Sequence, residues 1–180
     1  MRKIYPRGVS DDAVPDRIDL LRAAWERERP DLDVSPQGVI TRLHRVANDL
    51  TERLVEVYRR HGLGEGDFDV LATLRRGGAP YERSAGDLAE HTLVTTGGMT
   101  KRIDRLERAG LVERRRDERD GRGRVVALTV RGREVIDAAF TEHISNEHRL
   151  LAMIGADRAE QLEAVLRVWL AALEDPPAGP

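Results

Sequence analysis

Residues 84–130 read SAGDLAEHTLVTTGGMTKRIDRLERAGLVERRRDERDGRGRVVALTV, and this stretch decides the fold. Its first half holds two short segments with apolar residues at helical spacing. Its second half holds two β-compatible segments, 111–115 and 124–129, separated by the charged sequence DERDGRG, which indicates a hairpin with a long tip. Two helices followed by a hairpin predict a winged helix-turn-helix, in which the second helix fits the major groove of DNA.

Capping signals mark the start of both helices. Ser84 with Asp87 resembles a capping box that opens the first helix. Thr95 or Thr96 opens the second, which would be the recognition helix. The inward face of this second helix is predicted to consist of Met99, Ile103 and Leu106.

Helical periodicity continues on both sides of this stretch. Five further helices are predicted: 16–29, from Ser35-Pro36 to Gly62, from Asp67 to Gly77, 131–154 and 156–173. The long apolar stripes lie near the two ends of the chain, which favours packing of these helices with one another and with a second copy. The predicted fold class is mainly α with a small β-hairpin wing (α+β): a winged helix-turn-helix with an N- and C-terminal helical dimerisation region.

This pattern divides the 180-residue chain into five segments. They are a flexible arm (1–15), N-terminal helices for dimerisation (16–62), the winged helix-turn-helix (63–130), C-terminal helices for dimerisation (131–174) and a disordered tail (175–180). The arm and the tail are predicted from their Pro, Gly and polar residues, which lack any periodicity.

Charge is distributed unevenly along the chain. Residues 101–133 hold twelve basic and six acidic residues, a net charge of +6, which leaves −8 for the rest of a chain whose total is −2. A basic block inside an acidic protein is typical of a local surface that binds phosphates. A solvated charged face is the alternative interpretation.

Several function classes are disfavoured by composition. The chain has no cysteine, which excludes disulfides, cysteine-ligated zinc and thiol redox sensing. His143 and His148 are five residues apart instead of the four that suit a helical metal site, so we predict ordinary histidines and no cofactor. The sequence has neither a Gly-rich phosphate loop nor a nucleophile–base signature, so we do not predict an enzyme. Without a signal-peptide pattern or a run of about 18 apolar residues, a cytoplasmic protein with no membrane partner is predicted.

The residues from about Val34 to Leu173 resemble the MarR family of bacterial transcriptional regulators. The resemblance rests on FDVLATL (68–74), DLAEHTLVTTGGMTKRIDRLERAGLVERRRDERDGR (87–122) and VVALTVRGREVI (125–136). It implies a homodimer of winged helices that binds pseudo-palindromic promoter sites in double-stranded DNA. In such a dimer the two recognition helices lie roughly 34–36 Å apart, one turn of DNA.

The resemblance also implies which residues touch DNA. By position these are Thr95, Thr96, Met99, Thr100, Lys101, Arg105, Arg119, Asp120 and Arg122. Arg122 matches the wing arginine that enters the minor groove, and Asp120 matches the acid that holds arginines in place. Gly121 stands where the family often has another arginine, which implies fewer wing contacts. Simple N-capping is an alternative role for the two first threonines, and both roles can coexist.

A narrower resemblance concerns the extra N-terminal helix. This helix is similar to that of a MarR branch that responds to urate and related small anions, and the likeness implies a pocket of Trp25, Asp69, Arg102 and Arg114. Two guanidiniums would donate charge-assisted hydrogen bonds to an anion, and the indole would stack on a planar ligand. Asp69 would pair with an arginine in the empty pocket. A packing role for Trp25 and a structural salt bridge for Asp69 remain alternatives.

The predicted function is therefore a homodimeric repressor, released from its promoter site by a small anion such as urate or a polycarboxylate. A ligand that engages Arg102 or Arg114 would shift the recognition helix and wing and so lower the affinity for DNA. Two alternatives stay open: a winged-helix regulator without an effector, and a winged-helix module that binds proteins.

Overall fold

The computed structural model describes residues 15–92, 96–116 and 124–174. In these ranges the chain forms α1 (Arg17–Glu28), α2 (Gln37–Arg60), α3 (Glu65–Arg76), β1 (Glu82–Ser84), α4 (Ala85–His91), α5 (Thr96–Arg108), β2 (Val112–Arg116), β3 (Arg124–Leu128), α6 (Val130–Ala152) and α7 (Ala156–Glu174). This mainly helical fold with one small sheet confirms the predicted fold class. No helix in these ranges combines the length and apolar character needed to span a bilayer.

The chain forms two compact units, divided between Arg53 and Leu54 within α2. In the first unit, α1 begins with a capping box: the Asp16 carboxylate accepts hydrogen bonds from the backbone N of Ile18 and of Asp19, at 2.7 and 3.1 Å. Arg42 of α2 donates to the same carboxylate from Nε at 2.8 Å, and this hydrogen bond lowers the pKa of Asp16 to about 2. The predicted segment boundaries at residues 15, 62, 130 and 174 stay predictions.

The core of the second unit is built around α3. Its apolar residues Phe68, Leu71 and Leu74 are buried, and the Phe68 ring stacks on Tyr58 of α2 with ring centroids 4.0 Å apart. Residues from α4, α5, the sheet and α6 complete this core: Leu88, Met99, Ile103, Leu106, Leu111, Val112, Val126, Ile136 and Ala139. The helix-turn-helix pair α4 and α5 is therefore fixed on a continuous apolar base.

The sheet has three antiparallel strands in the order β1-β3-β2. The predicted hairpin is confirmed, with Arg114 of β2 opposite Val126 of β3. Strand β1, which pairs Glu82 with Ala127, was not predicted from the sequence. This strand has only three polar residues and no apolar alternation, so its pairing depends on β3 rather than on any local signal.

Two predicted helix starts differ in outcome. Ser84 caps α4 as predicted, since its Oγ accepts a hydrogen bond from the backbone N of Asp87 at 3.1 Å. Asp67, where the preceding helix was predicted to begin, instead lies in the first turn of α3, which begins at Glu65. Its carboxylate accepts from the backbone N of Gly64 at 2.9 Å, so it caps the helix from inside, and its side chain is buried. The prediction of its position was wrong because Gly64 takes the cap position itself.

The start of α6 lies unusually close to the loop before β2. Thr129 caps α6, and its Oγ1 accepts a hydrogen bond from the backbone N of Gly132 at 2.9 Å. The backbone N of Thr129 donates to the carbonyl oxygen of Leu111 at 3.1 Å. A methyl group added at Gly132 would lie 1.8 Å from that carbonyl oxygen. Only glycine fits this approach of α6 to β2.

Candidate nucleic-acid interface

The predicted recognition helix corresponds to α5, and its two sides differ sharply. Met99, Ile103 and Leu106 are each no more than 2% exposed and form the predicted inward face. The prediction that Met99 touches DNA is therefore wrong, because its side chain fills the core beneath the helix. Thr100 and Lys101 are exposed on the other side, where a groove of DNA can reach them.

Four of the predicted DNA-binding residues lie outside the described part of the chain: Thr95, Arg119, Asp120 and Arg122. The side chain of Thr96 also lies outside it, although its backbone forms the first residue of α5. The predicted roles of these residues stay predictions.

Arg105 has a partner that the sequence analysis missed. Its guanidinium donates from Nε to Oδ1 of the buried Asp67 at 3.0 Å, which joins the recognition helix to the first turn of α3. The arginine side chain is still 55% exposed, so its predicted contact with DNA stays a prediction. No local spacing signals this pair, because its members are 38 residues apart.

Arg114, predicted to hold an anion, is engaged within the protein. Its guanidinium donates to Asp104 and Glu107 of α5, and Glu107 also accepts from the backbone N of Arg114 at 3.0 Å. The hydrogen bonds that Arg114 donates to Asp104, and then those to Glu107, raise the pKa of Arg114 above its ordinary range. These contacts hold strand β2 of the wing against the recognition helix.

Arg102 occupies a different position on α5, against the start of α3. A methyl group added at Gly66 would lie 2.0 Å from Cζ of Arg102, so the guanidinium fills the space that this glycine leaves open. Nη1 of Arg102 is buried and has no hydrogen-bond partner among the residues that the structure describes. Gly66 was missed in the sequence, where it looks like an ordinary helix-start glycine.

Asp69 does not make the predicted ion pair with an arginine. No basic group in the described ranges lies within 4.0 Å of its carboxylate, because Arg114 is paired with α5 and Arg102 lies against Gly66. Asp69 is on an exposed side of α3, yet its carboxyl loses part of its hydration to nearby protein atoms. This desolvation, and then the charge of Glu65, raise the pKa of Asp69, while Arg102 opposes the rise.

His143, predicted as an ordinary histidine, lies in an aromatic cluster near Asp69. Its ring centroid is 5.0 Å from that of Phe68, and its Nδ1 is 3.3 Å from the hydroxyl of Tyr58. Burial, and then the charge of Asp69, raise the pKa of Tyr58 to about 12. Within the described ranges no three His, Asp or Glu side chains are grouped as metal ligands would be.

Trp25, the fourth residue of the predicted pocket, is on α1 in the first unit. Its side chain is 50% exposed, as are large parts of Leu20 and Leu21 on the same helix. Its predicted role in ligand binding stays a prediction.

Comparison with known proteins gives a consistent result. Residues 61–123 match a sequence model of the MarR family. The chain is 38% identical over 142 residues to the HTH-type transcriptional regulator PecS of Dickeya dadantii (strain 3937), a match that covers 79% of this chain and 86% of PecS.

Solved structures agree with the fold. Sco5413, a MarR family transcriptional regulator from Streptomyces coelicolor, has a TM-score of 0.66 and 26% identity, over 81% of this chain and all of that one. A mutant MarR from E. coli complexed with operator DNA has a TM-score of 0.65 and 25% identity, over 77% of this chain and 99% of that one.

Proposed function

The chain belongs to the MarR family of transcriptional regulators, and on this premise we propose that it acts as a homodimeric repressor that a small anion releases from promoter DNA. The observation that carries the proposal is the two-sided recognition helix α5. Its buried face holds it on the core, and its opposite face presents Thr100 and Lys101 beside a strand of the wing. A helix held in this way can enter a major groove without losing its own packing.

Support for a homodimer comes from α7. None of its residues is buried, although Val165, Val168 and Leu173 are apolar and at least 60% exposed. Contiguous apolar surface of this kind is typical of an interface rather than of a free helix. A second copy of the chain is the partner that a two-fold DNA site requires, because each copy supplies one recognition helix.

Support for an anionic ligand comes from Arg102. A buried guanidinium nitrogen without a hydrogen-bond partner is unfavourable, and an anionic oxygen would satisfy it with a charge-assisted hydrogen bond. Asp69 lies near enough to influence Arg102 electrostatically without pairing with it. We propose that urate, or another planar anion or polycarboxylate, binds at Arg102, with Asp69 contributing to its recognition.

Release from DNA would follow from a change in how α5 packs at Arg102. An anion bound to the Arg102 guanidinium would alter the packing of α5 against the start of α3, where this side chain now fills the space at Gly66. The recognition helix, and the wing strand that Arg114 holds to it, would then lose their orientation for DNA, and the state that cannot bind DNA would become more populated. The ligand achieves this only if it binds that state more tightly.

The proposal is tested by DNA binding of the purified full-length chain. We expect it to bind a duplex taken from the region upstream of its own gene, with an affinity that falls steeply as salt rises, by about 0.9 log units per log unit of salt for each phosphate contact. Urate and a panel of aromatic acids and polycarboxylates are then titrated into the complex. Absence of binding to every upstream duplex, or binding that ignores salt, would contradict the proposal, and failure of every ligand would remove its effector part.

The anion pocket can be perturbed separately through Gly66. Gly66→Ala should displace the Arg102 guanidinium and weaken the response to the active anion roughly tenfold, equivalent to about 1.4 kcal/mol. Affinity for DNA without ligand should change much less, because the added methyl meets only the end of a flexible side chain. Both are measured by fluorescence anisotropy with labelled duplex.

The matched control for this experiment is Gly86→Ala in α4. There the added methyl has only the Oγ of Ser84 nearby, at 3.6 Å, so ligand response should stay at the wild-type level. An unchanged response in Gly66→Ala would place the anion away from Arg102.

A further inference from the structure

Three consecutive arginines on β2 differ in how their charges are neutralised. Arg114 is paired with Asp104 and Glu107 of the recognition helix. Arg115 is paired with Glu82 of β1 at 2.7 Å and lies 3.8 Å from Glu113. Arg116 is the exception, since no carboxylate in the described ranges lies within 4.0 Å of its guanidinium.

Arg116 also faces a second positive charge. It is the cross-strand partner of Arg124 on β3, in the last pair of the hairpin ladder that the structure describes. Residues directly opposite in an antiparallel pair point to the same face, with Cβ atoms roughly 4.5–5.5 Å apart. Both arginines are exposed, and Arg124, like Arg116, has no carboxylate within 4.0 Å in the described part of the chain. Like charges in this arrangement destabilise a sheet.

The side-chain alternation of a strand shows where this pair points. Arg116 shares its face of the sheet with Arg114, two residues earlier and roughly 7 Å away. That is the face on which Arg114 meets the recognition helix, and Val126, which is opposite Arg114, is buried there. The arginine pair therefore lies beside α5, on the side of the sheet that faces the helix, one step further toward the hairpin tip.

We propose that Arg116 and Arg124 together bind one phosphate of the DNA backbone next to the groove that α5 enters. This inference rests on the proposed DNA-binding function and assigns a site within it. A phosphodiester anion between the two guanidiniums is attracted to both and so offsets the repulsion between them. Its non-bridging oxygens accept hydrogen bonds from both arginines. No carboxylate of the described chain supplies this compensation.

A contact with a backbone phosphate does not depend on the base sequence. The arginine pair would therefore orient the wing relative to the recognition helix and would not contribute to sequence specificity. Because β2 is held to α5 by Arg114, fixing the strand at Arg116 also fixes the depth and angle at which the helix lies in the groove. The pair should thus strengthen binding to any duplex by a similar factor.

The test compares wild type with the double variant Arg116→Gln/Arg124→Gln, using the upstream duplex and an unrelated duplex of equal length. We expect the double variant to lose roughly tenfold or more in affinity at low salt for both duplexes, and the slope of log affinity against log salt to shrink by about one to two. Thermal unfolding should show an equal or higher Tm, because a like-charge pair has been removed.

Two further variants isolate the cause. Arg116→Lys/Arg124→Lys keeps both charges and should retain most of the salt slope. Arg115→Gln removes a neighbouring arginine on the opposite face, already paired with Glu82, and should leave DNA affinity and slope close to wild type.

The outcomes separate this inference from the function on which it rests. If wild type binds DNA and the glutamine double variant has the same affinity and slope, the phosphate site is overturned while the DNA-binding function stands. A lower Tm with unchanged DNA binding also overturns the site, since it would mean that the arginines are neutralised within the chain. If wild type binds no duplex at all, the proposed function fails and the phosphate site fails with it.

Discussion

Gly132→Ala is expected to destabilise the folded chain by about 3 kcal/mol, through a single added methyl group. The methyl would lie 1.8 Å from the carbonyl oxygen of Leu111, well inside van der Waals contact. That oxygen is backbone and cannot rotate away as a side chain could. The only relief is to separate the start of α6 from the loop before β2.

Such a separation breaks several contacts together. The backbone N of Thr129 donates to the Leu111 carbonyl at 3.1 Å, and Thr129 Oγ1 lies 3.2 Å from the same oxygen. Moving α6 stretches both, and it also disturbs the cap at the start of the helix. These backbone groups lie in the partly buried seam between helix and sheet, where unpaired donors and acceptors are unfavourable.

Urea unfolding followed by circular dichroism measures this effect. Gly86→Ala is the matched control, because it adds the same methyl to an exposed helical glycine, where it would make only an ordinary contact with Ser84 Oγ at 3.6 Å. That variant should be as stable as wild type or more stable by up to about 1 kcal/mol, from helix propensity. Equal stabilities for the two variants would show that α6 does not approach Leu111 so closely.

Local patterns predicted most of the elements in this fold. Apolar spacing of 3–4 residues identified the helices, and Ser84 marked the start of α4, because both signals act within one or two turns. The pattern at Met99 is instructive, since its spacing placed it on the inward face of α5 while the family resemblance placed it at DNA. The periodicity was right, because it reports burial directly.

The contacts of the candidate site were less accessible to prediction. Arg114 meets Glu107 only after the chain turns back at Gly110 and lays β2 beside α5, so a nearby Asp104–Glu107 pair competed successfully with the expected partner Asp69. The Arg102 position depends on the absence of a side chain at Gly66, 36 residues earlier. Such contacts arise from the packing of separate elements, and no periodicity encodes them.

Val168→Glu in α7 is expected to convert the proposed homodimer to monomer and to reduce operator affinity by about 100-fold or more, because in the proposed complex both half-sites are bound by linked subunits. The Val168 side chain is 72% exposed in the single chain, so the glutamate should leave the fold of each subunit intact. In a dimer that covers this face, the charge would be buried without a partner, at a cost of several kcal/mol per ion.

The two sides of α7 explain why Val168 is the position to change. Leu162, Leu166 and Leu170 line a groove with Leu151 of α6, so α6 gives partial cover to that side of the helix. Val168 points to the opposite side, since it lies about half a turn around the helix from Leu166 and Leu170. A helix that is apolar on two opposite sides is stable when both sides are buried. We therefore expect the side that carries Val168 to pack against the same helix of a second copy.

Light scattering during size-exclusion chromatography, together with DNA anisotropy, measures both effects. Arg167→Gln is the matched control, because it changes the net charge by the same amount one residue away and leaves the apolar surface intact. Arg167 is exposed and pairs only with Glu163 one turn earlier among the described residues, so its loss should affect neither dimer nor DNA affinity appreciably.

A dimeric Val168→Glu with wild-type affinity would move the interface away from this face of α7. A monomeric Val168→Glu that still bound DNA at wild-type affinity would instead show that one recognition helix is sufficient. We do not expect this, because a single DNA-binding module buries little surface on DNA.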